Sequence, residues 1–281
     1  MSNSDIAMVC DVLLGVSSPD KTIRTNSINK LQELSKNLGA ITYCLVDIAS
    51  KVATNDKEKT IKTTSLVICR KILDNKDTEQ WKTIDNNLKT EIKKKTFELL
   101  NNETNPSENA KVCDLIIVMM EKILDNDEKW DEVTQLALSI FYYDPCDQTK
   151  LTQIRALLKL LSGGAGFMYD SISKEFNKII PYLEKLIDSN IDISIKVLAT
   201  QFIGELLSFC DENEVKLFKN LIGKILITIN KCFNDTKMED SVKTLLEECI
   251  QTESLEPSLF KSYFNDIFTL GKQLIDKKDY D

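Results

Sequence analysis

Apolar residues recur along almost the whole chain at alternating intervals of three and four positions, which places them on one face of an α-helix. One such stripe, within residues 213–233, consists of Val215, Phe218, Ile222, Ile225, Ile229 and Cys232. Another, within residues 169–187, consists of Ile172, Phe176, Ile179, Leu183 and Leu186. The pattern predicts a series of amphipathic helices that each bury one face.

Short polar segments separate the stripes, and several of them end in a serine or aspartate suited to cap the next helix. Taken together, stripes and breaks predict repeats that each contain a first and a second helix. The predicted repeats are 4–37, 40–74, 86–125, 130–162, 169–209 and 213–252, and a last helix covers 257–276.

The pentapeptide KILDN occurs twice, at 71–75 and 122–126, and each copy precedes one of the chain's two tryptophans, Trp81 and Trp130. The match of apolar positions extends through the whole preceding helix, which favours one structural unit used twice. A common helix-end composition that recurs by chance is the alternative. We predict that each tryptophan anchors the start of the next repeat. The offset of the two copies also exceeds a plain HEAT period and places extra length between Asp74 and Leu88.

The second helices recur at intervals of about 37 to 51 residues, which bracket the 40–47 residues of HEAT and armadillo arrays. Tetratricopeptide arrays keep a stricter 34-residue period with a small/aromatic signature that is absent here. Because a helix pair cannot bury its apolar face alone, stacked copies share a continuous core. We therefore predict an all-α fold, in which residues 1–281 form one right-handed α–α superhelix (a solenoid) of HEAT/armadillo-like repeats with about six and a half helix pairs.

The composition agrees with a helical chain, since only 8 glycines and 5 prolines occur among 281 residues. The formal net charge of −8 repels a phosphate backbone and suits basic protein partners, although the charge of a whole chain does not locate a site. The first residues lack the basic leader of a signal peptide, and no apolar stretch reaches membrane-spanning length. We therefore predict neither a membrane nor a nucleic acid as a direct partner.

Histidine is absent, which excludes the usual catalytic triads and most zinc sites. The eight cysteines form no CxxC motif, and most lie in apolar helical runs, so we expect reduced thiols in an intracellular protein. The glycine cluster SGGAG at 162–166 lacks the features of a phosphate loop and is predicted to be a flexible connector. The run Lys93–Lys95 is predicted to be a solvated helix face. No enzyme, cofactor or metal site is indicated.

Several ordered segments resemble the N-terminal repeats of importin-β-type (karyopherin-β) nuclear transport receptors, most of all those of the importin-five branch. The segments are SPDKTIRTNSINKLQEL (18–34), ICRKIL (68–73), KVCDLIIVMMEKILDNDEKW (111–130), VKLFKNLIGKILITINKCFND (215–235) and DSVKTLLEE (240–248). Receptors of this family are several times longer, so we expect this chain to be an N-terminal fragment of a longer protein.

The resemblance implies protein import into the nucleus, with shuttling between cytoplasm and nucleus through the nuclear pore. The implied partners are a Ran-type GTPase in its GTP form, Phe-Gly nucleoporins, and basic protein cargo held mostly by the missing C-terminal part. The implied contacts with the GTPase lie on the second helices of the first three repeats: Asn26, Lys30, Lys62, Leu66, Arg70, Asp114 and Val118. The implied nucleoporin contacts lie on first helices, at Phe176 and Phe218, which fit a core stripe equally well.

A static HEAT scaffold, such as a regulatory subunit for protein assembly, is the alternative function. Such scaffolds repeat more regularly, near 39 residues, with a recurrent proline in the first helix. The irregular period and the scarcity of proline in this chain favour the transport receptor.

Overall fold

The structure, a computed structural model, describes residues 3–76, 78–124, 128–221, 223–225, 261 and 264–278. These residues form α-helices and short 3₁₀ helices, and no strand occurs among them, so the all-α prediction is confirmed. The described α-helices are α1 (Asn3–Val16), α2 (Lys21–Leu34), α3 (Leu38–Ala49), α4 (Asp56–Asp74), α5 (Thr78–Lys82), α6 (Asn86–Asn102), α7 (Pro106–Leu124), α8 (Asp131–Leu138), α9 (Leu151–Gly163), α10 (Ala165–Ile172), α11 (Phe176–Asp188), α12 (Ile193–Leu207), α13 (Glu212–Leu217) and α14 (Phe264–Lys278). Helices of the 3₁₀ type span Ser139–Tyr142, Gln148–Lys150 and Ser173–Glu175.

Helices α1, α3 and α6 are the first helices of the first three predicted repeats, and α2, α4 and α7 are the second helices. The second helices begin at intervals of 35 to 50 residues from α2 through α4, α7 and α9 to α12. The second helix predicted for the sixth repeat, at 238–252, lies outside the described residues. The division of the chain into these repeats therefore stays a prediction.

Polar side chains cap the starts of seven of the described α-helices, as the breaks in the sequence predict. The carboxylate of Asp20 accepts hydrogen bonds from the backbone amides of Thr22 and Ile23 at the start of α2. Asp211 and Glu214 form a reciprocal capping box at the start of α13. These caps satisfy amides that have no partner within the helix, and so they fix where each helix begins.

The contacts divide the chain into two compact units, residues 1–133 and residues 134–281. In the first unit α1 packs on α2, α3 on α4 and α6 on α7. The first helices α3 and α6 also contact each other, as do the second helices α4 and α7. The second and third pairs thus stack first helix on first helix and second helix on second helix, whereas the first pair contacts the second through α1, which packs on both α3 and α4.

Helix α5 occupies the extra length that the sequence places between Asp74 and Leu88. It contacts α3 and α7 and carries Trp81, which is only 1% exposed. Trp130, just before α8, is 3% exposed. Both tryptophans are therefore core residues at the entry to the following first helix.

In the second unit α9, α10 and α11 all contact α12. The glycine cluster of residues 162–166 is not a flexible connector as predicted, because only Gly164 lies between α9 and α10. A Cβ atom on Gly166 would lie 2.8 Å from Cζ of Phe209, so the absence of a side chain here allows that ring to approach α10. The prediction is wrong because it takes glycine as a sign of backbone flexibility, whereas here the missing side chain allows close packing.

None of the six cysteines for which the structure gives an environment forms a disulfide. Cys44, Cys69, Cys113 and Cys210 are buried as predicted, and burial raises the pKa of the Cys69 thiol to about 12. Cys146 is exposed and departs from that pattern. Within the described ranges, no helix has the length and apolar character needed to cross a membrane.

Replacing Gly15 by alanine is expected to destabilise the protein by about 1–2 kcal/mol, although alanine is the better helix former. The new Cβ would lie 2.0 Å from Oγ and 3.0 Å from Cβ of Ser27 on α2. Rotation of the Ser27 hydroxyl relieves only the first contact, so α1 and α2 must separate. Urea unfolding followed by far-UV circular dichroism measures the change.

The matched control is Gly271→Ala in α14, where a new Cβ would have no heavy atom within 4 Å among the described residues. This substitution is expected to leave stability unchanged or to raise it by up to about 1 kcal/mol. Equal effects of the two substitutions would contradict the close approach of α1 and α2.

Candidate protein-binding face

The second helices α2, α4 and α7 carry the side chains that the sequence assigns to partner binding. We call the exposed side chains of these three helices the second-helix face. Asn26 and Lys30 on α2 are exposed, and Val118 on α7 is half-buried. These three side chains could contact a partner without any rearrangement of the fold.

Polar contacts join α4 to the pair that follows it. Nζ of Lys62 lies 2.6 Å from a carboxylate oxygen of Glu103, and Nη1 of Arg70 lies 3.4 Å from a carboxylate oxygen of Asp114. Between them, the hydroxyl of Thr63 donates to Glu108 at 2.8 Å. Lys62, Arg70 and Asp114 therefore serve the junction between two repeats, and a partner would have to compete with these ion pairs or use their exposed edges.

Leu66 does not belong to the second-helix face, because its side chain is 1% exposed and packs in the core. Its position on α4, four residues from both Lys62 and Arg70, suggested a surface site. Helix α4 packs against α1, α3 and α7, and the sequence alone does not indicate which of its turns these helices cover. Leu66 is therefore a structural residue.

Phe176 and Phe218 are likewise buried, at 5% and 0% exposure. Their rings meet edge to face with centroids 5.2 Å apart, a favourable aromatic arrangement. A nucleoporin side chain could reach them only by displacing this contact. They are core residues, which is the alternative that their positions in the apolar stripes also allow.

An apolar groove that the sequence did not indicate lies elsewhere in the second unit. It has a volume of about 270 Å³ and lies between the 3₁₀ helix at Ser139–Tyr142 and α11. The lining side chains are Gln135, Leu138, Phe141, Tyr142, Glu175 and Lys178. The aromatic pair Tyr142–Tyr143 is the feature of the sequence that marks this groove. The pattern of apolar positions places the pair in a break between helices, and so it does not indicate a binding site there.

The groove combines an aromatic wall with a cation. Tyr142 is 75% exposed, and Nζ of Lys178 lies 5.4 Å from its ring centroid. Phe141 packs edge to face on Tyr182, with centroids 5.3 Å apart. Burial raises the pKa of Tyr182, so its hydroxyl stays neutral. The groove therefore fits an apolar or aromatic side chain.

The lysine run at 93–95 is only partly a solvated face. Lys94 is exposed, whereas Nζ of Lys95 lies 2.6 Å from the carboxylate of Asp47 on α3. That hydrogen bond lowers the pKa of Asp47 and raises the pKa of Lys95. Lys93 pairs with Glu128 at 3.0 Å. Two of the three lysines thus tie elements of the fold together.

The described residues contain no group of three or more histidine, cysteine, aspartate or glutamate side chains placed to bind a metal ion.

Residues 104–270 match the sequence model of a protein family described as "IPO5-like, TPR repeats". The match covers more than half of the chain. This chain belongs to the IPO5-like family. The resemblance to importin-β receptors of the importin-five branch is thereby confirmed. The intervals between second helices in this IPO5-like chain are longer and less regular than a 34-residue tetratricopeptide period.

Solved structures of the karyopherin Kap121p have the same fold as this IPO5-like chain. Kap121p bound to RanGTP matches with a TM-score of 0.66 and 17% sequence identity, over 100% of this chain and 25% of Kap121p. Kap121p bound to Nup53p matches with a TM-score of 0.69 and 18% identity, over 100% of this chain and 26% of that one. Kap121p alone matches with a TM-score of 0.70 and 18% identity, over 99% and 25%.

This chain thus spans about a quarter of the length of Kap121p. At such identities the likeness establishes the fold alone. No curated protein matches the chain in sequence.

Proposed function

We propose that this chain is part of a nuclear transport receptor that shuttles between cytoplasm and nucleus and contributes to protein import. It acts by binding proteins and not by catalysis. A Ran-type GTPase in its GTP form binds the second-helix face, Phe-Gly nucleoporins bind between first helices, and basic cargo binds mostly outside this segment. The observation that carries the proposal is the IPO5-like family match in a chain whose helix pairs stack as in Kap121p.

The second-helix face supports the GTPase assignment through its accessible polar residues. Asn26 and Lys30 are exposed, and Arg70 leaves 42% of its side chain accessible while Asp114 holds it at the α4–α7 junction. A guanidinium has five N–H donors, so a single carboxylate neighbour leaves Arg70 able to bind a further acceptor. Leu66 takes no part.

The experiment is a pull-down of a Ran-type GTPase loaded with a non-hydrolysable GTP analogue or with GDP. Wild-type protein is expected to retain the GTP form preferentially. The variant Asn26→Ala/Lys30→Ala/Arg70→Ala is expected to retain about tenfold less, because each polar contact at an interface contributes modestly. Lys174→Ala in the second unit is the control and leaves retention unchanged. Loss of retention in the control alone would contradict the assignment.

The groove beside Tyr142 is the proposed nucleoporin contact, in place of the buried Phe176 and Phe218. Replacing Tyr142 by alanine is expected to weaken binding of a Phe-Gly peptide by roughly threefold to tenfold, because it removes one wall of the groove. Fluorescence anisotropy with a labelled Phe-Gly peptide measures the change. Val52→Ala, at a side chain that is 86% exposed and distant in sequence, is the control. Wild-type affinity in Tyr142→Ala would show that the peptide binds elsewhere.

A further inference from the structure

The second helices of the first two pairs have a charge opposite to that of the whole chain. Helix α2 carries three basic and one acidic side chain, and α4 carries five basic and three acidic ones. Together they have a net charge of +4, in a chain whose formal net charge is −8. Their first helices α1 and α3 carry aspartates and no basic side chain. In these two pairs the second helices therefore have a net positive charge and the first helices a net negative charge.

The acidic side chains of α2 and α4 are largely engaged within the chain. Glu33 pairs with Lys36 at 2.7 Å, and Asp56 pairs with Lys59 at 3.3 Å. Glu58 accepts hydrogen bonds from the amide and the hydroxyl of Thr54, at 2.6 and 2.8 Å. Asp74 is the acidic side chain on these two helices without such a contact in the part of the chain that the structure describes.

Four lysines on the same helices have no such partner. Lys21 and Lys30 on α2 and Lys57 and Lys71 on α4 are exposed, and among the described residues none of them forms an ion pair. The two helices are the second helices of successive pairs, and α4 also packs near the end of α1, where the hydroxyls of Ser17 and Thr64 lie 3.5 Å apart. Unpaired ammonium groups on these second helices attract carboxylates from a partner.

Apolar side chains accompany these lysines on α2. Ile23 is 51% exposed and Ile28 is 40% exposed, and Leu31 is the buried residue of this helix. Single exposed apolar side chains are ordinary. Here Ile28 lies seven residues after Lys21, and Lys30 lies seven residues after Ile23, so each isoleucine shares a side of α2 with one of the unpaired lysines. A partner that uses both features must present carboxylates together with apolar side chains.

We propose that α2 and α4 form a docking surface for an acidic protein segment that also carries apolar side chains. A nucleic acid fits less well, because the net negative charge of the chain opposes a phosphate backbone and a nucleic acid lacks apolar side chains for Ile23 and Ile28. The inference rests on the proposed function only in taking the second helices as the binding face. It names the chemistry of the ligand, which the GTPase assignment leaves open.

The test uses the full chain and a fluorescein-labelled peptide of alternating glutamate and leucine, followed by fluorescence anisotropy. Binding is expected for this peptide, and at least about tenfold weaker binding is expected for a peptide of alternating lysine and leucine. The variant Lys21→Glu/Lys30→Glu/Lys71→Glu is expected to lose at least about tenfold in affinity for the acidic peptide. The conservative variant with arginine at the three positions is expected to retain wild-type affinity.

The control variant is Lys174→Glu/Lys219→Glu/Lys272→Glu, which makes the same change of charge at exposed lysines of the second unit. An equal loss in both glutamate variants would overturn the inference, because it would reflect net charge alone. Binding of a short DNA duplex without binding of the acidic peptide would also overturn it. If the chain binds the GTPase in a nucleotide-dependent way but does not bind the acidic peptide, this inference is refuted and the proposed function stands. If the chain binds the acidic peptide but shows no nucleotide-dependent binding of the GTPase, only the GTPase assignment is refuted.

Discussion

Replacing Trp81 by alanine is expected to lower the free energy of unfolding by about 3–5 kcal/mol, the usual cost of deleting a fully buried large aromatic side chain. Trp81 is 1% exposed, and the helix that carries it, α5, contacts both α3 and α7. Among the described residues the indole NH has no hydrogen-bond partner, so the loss arises from packing and from the cavity that remains. Nζ of Lys89 also lies 5.9 Å from the ring centroid, and that contact disappears.

Urea unfolding monitored by far-UV circular dichroism measures this effect without relying on tryptophan fluorescence. Val52→Ala is the control, and at 86% exposure it is expected to change stability by less than about 0.5 kcal/mol. A change below about 1 kcal/mol in Trp81→Ala would mean that α5 does not hold the second and third pairs together.

Replacing Glu128 by glutamine is expected to destabilise the protein by about 2–3 kcal/mol. Nζ of Lys89 lies 2.8 Å from one carboxylate oxygen of Glu128, and Nζ of Lys93 lies 3.0 Å from the other. Lys89 is only 6% exposed, so removal of the carboxylate leaves a buried ammonium group without its counter-charge. Glu79→Gln is the control, since Glu79 pairs with Lys82 at the surface, and it is expected to cost less than about 0.5 kcal/mol.

The same carboxylate gives the stability a pH dependence of defined sign. Partial burial alone would raise the pKa of Glu128, but the hydrogen bonds from Lys89 and Lys93 outweigh burial and lower it. A carboxyl group whose pKa is lower in the folded state stabilises that state above its unfolded pKa, about 4.5 here. This stabilisation is lost as the pH falls below that value through the folded pKa.

Unfolding experiments from pH 7 down to pH 3 are therefore expected to show a smaller loss of stability in Glu128→Gln than in the wild type. Identical pH profiles would contradict a carboxylate that is held ionised by the two lysines.

The apolar stripes predicted the helices well, because helical periodicity is a local property of the sequence. The stripe from Ile172 to Leu186 is buried throughout, including Phe176, which fits a core residue better than a binding residue. Helical periodicity indicates which side of a helix is buried. It does not indicate how wide the buried side is, and for that reason the pattern wrongly places Leu66 at the surface.

Contacts between repeats were beyond the reach of the sequence. Asp47 and Lys95 are 48 residues apart, and Arg70 and Asp114 are 44 apart, so no local pattern links either pair. The short helix α5 was missed for a related reason. Five residues are too few for a helical stripe, and only the burial of Trp81 shows what the extra length does.

The central claim is that the second-helix face recognises a GTPase in one nucleotide state. The most direct measurement is an equilibrium titration of this chain with a Ran-type GTPase, loaded in parallel with a GTP analogue and with GDP. We expect a dissociation constant at least about tenfold lower for the GTP form, a difference of about 1.4 kcal/mol in binding free energy. Equal affinity for the two forms, or no measurable binding of either, would contradict it.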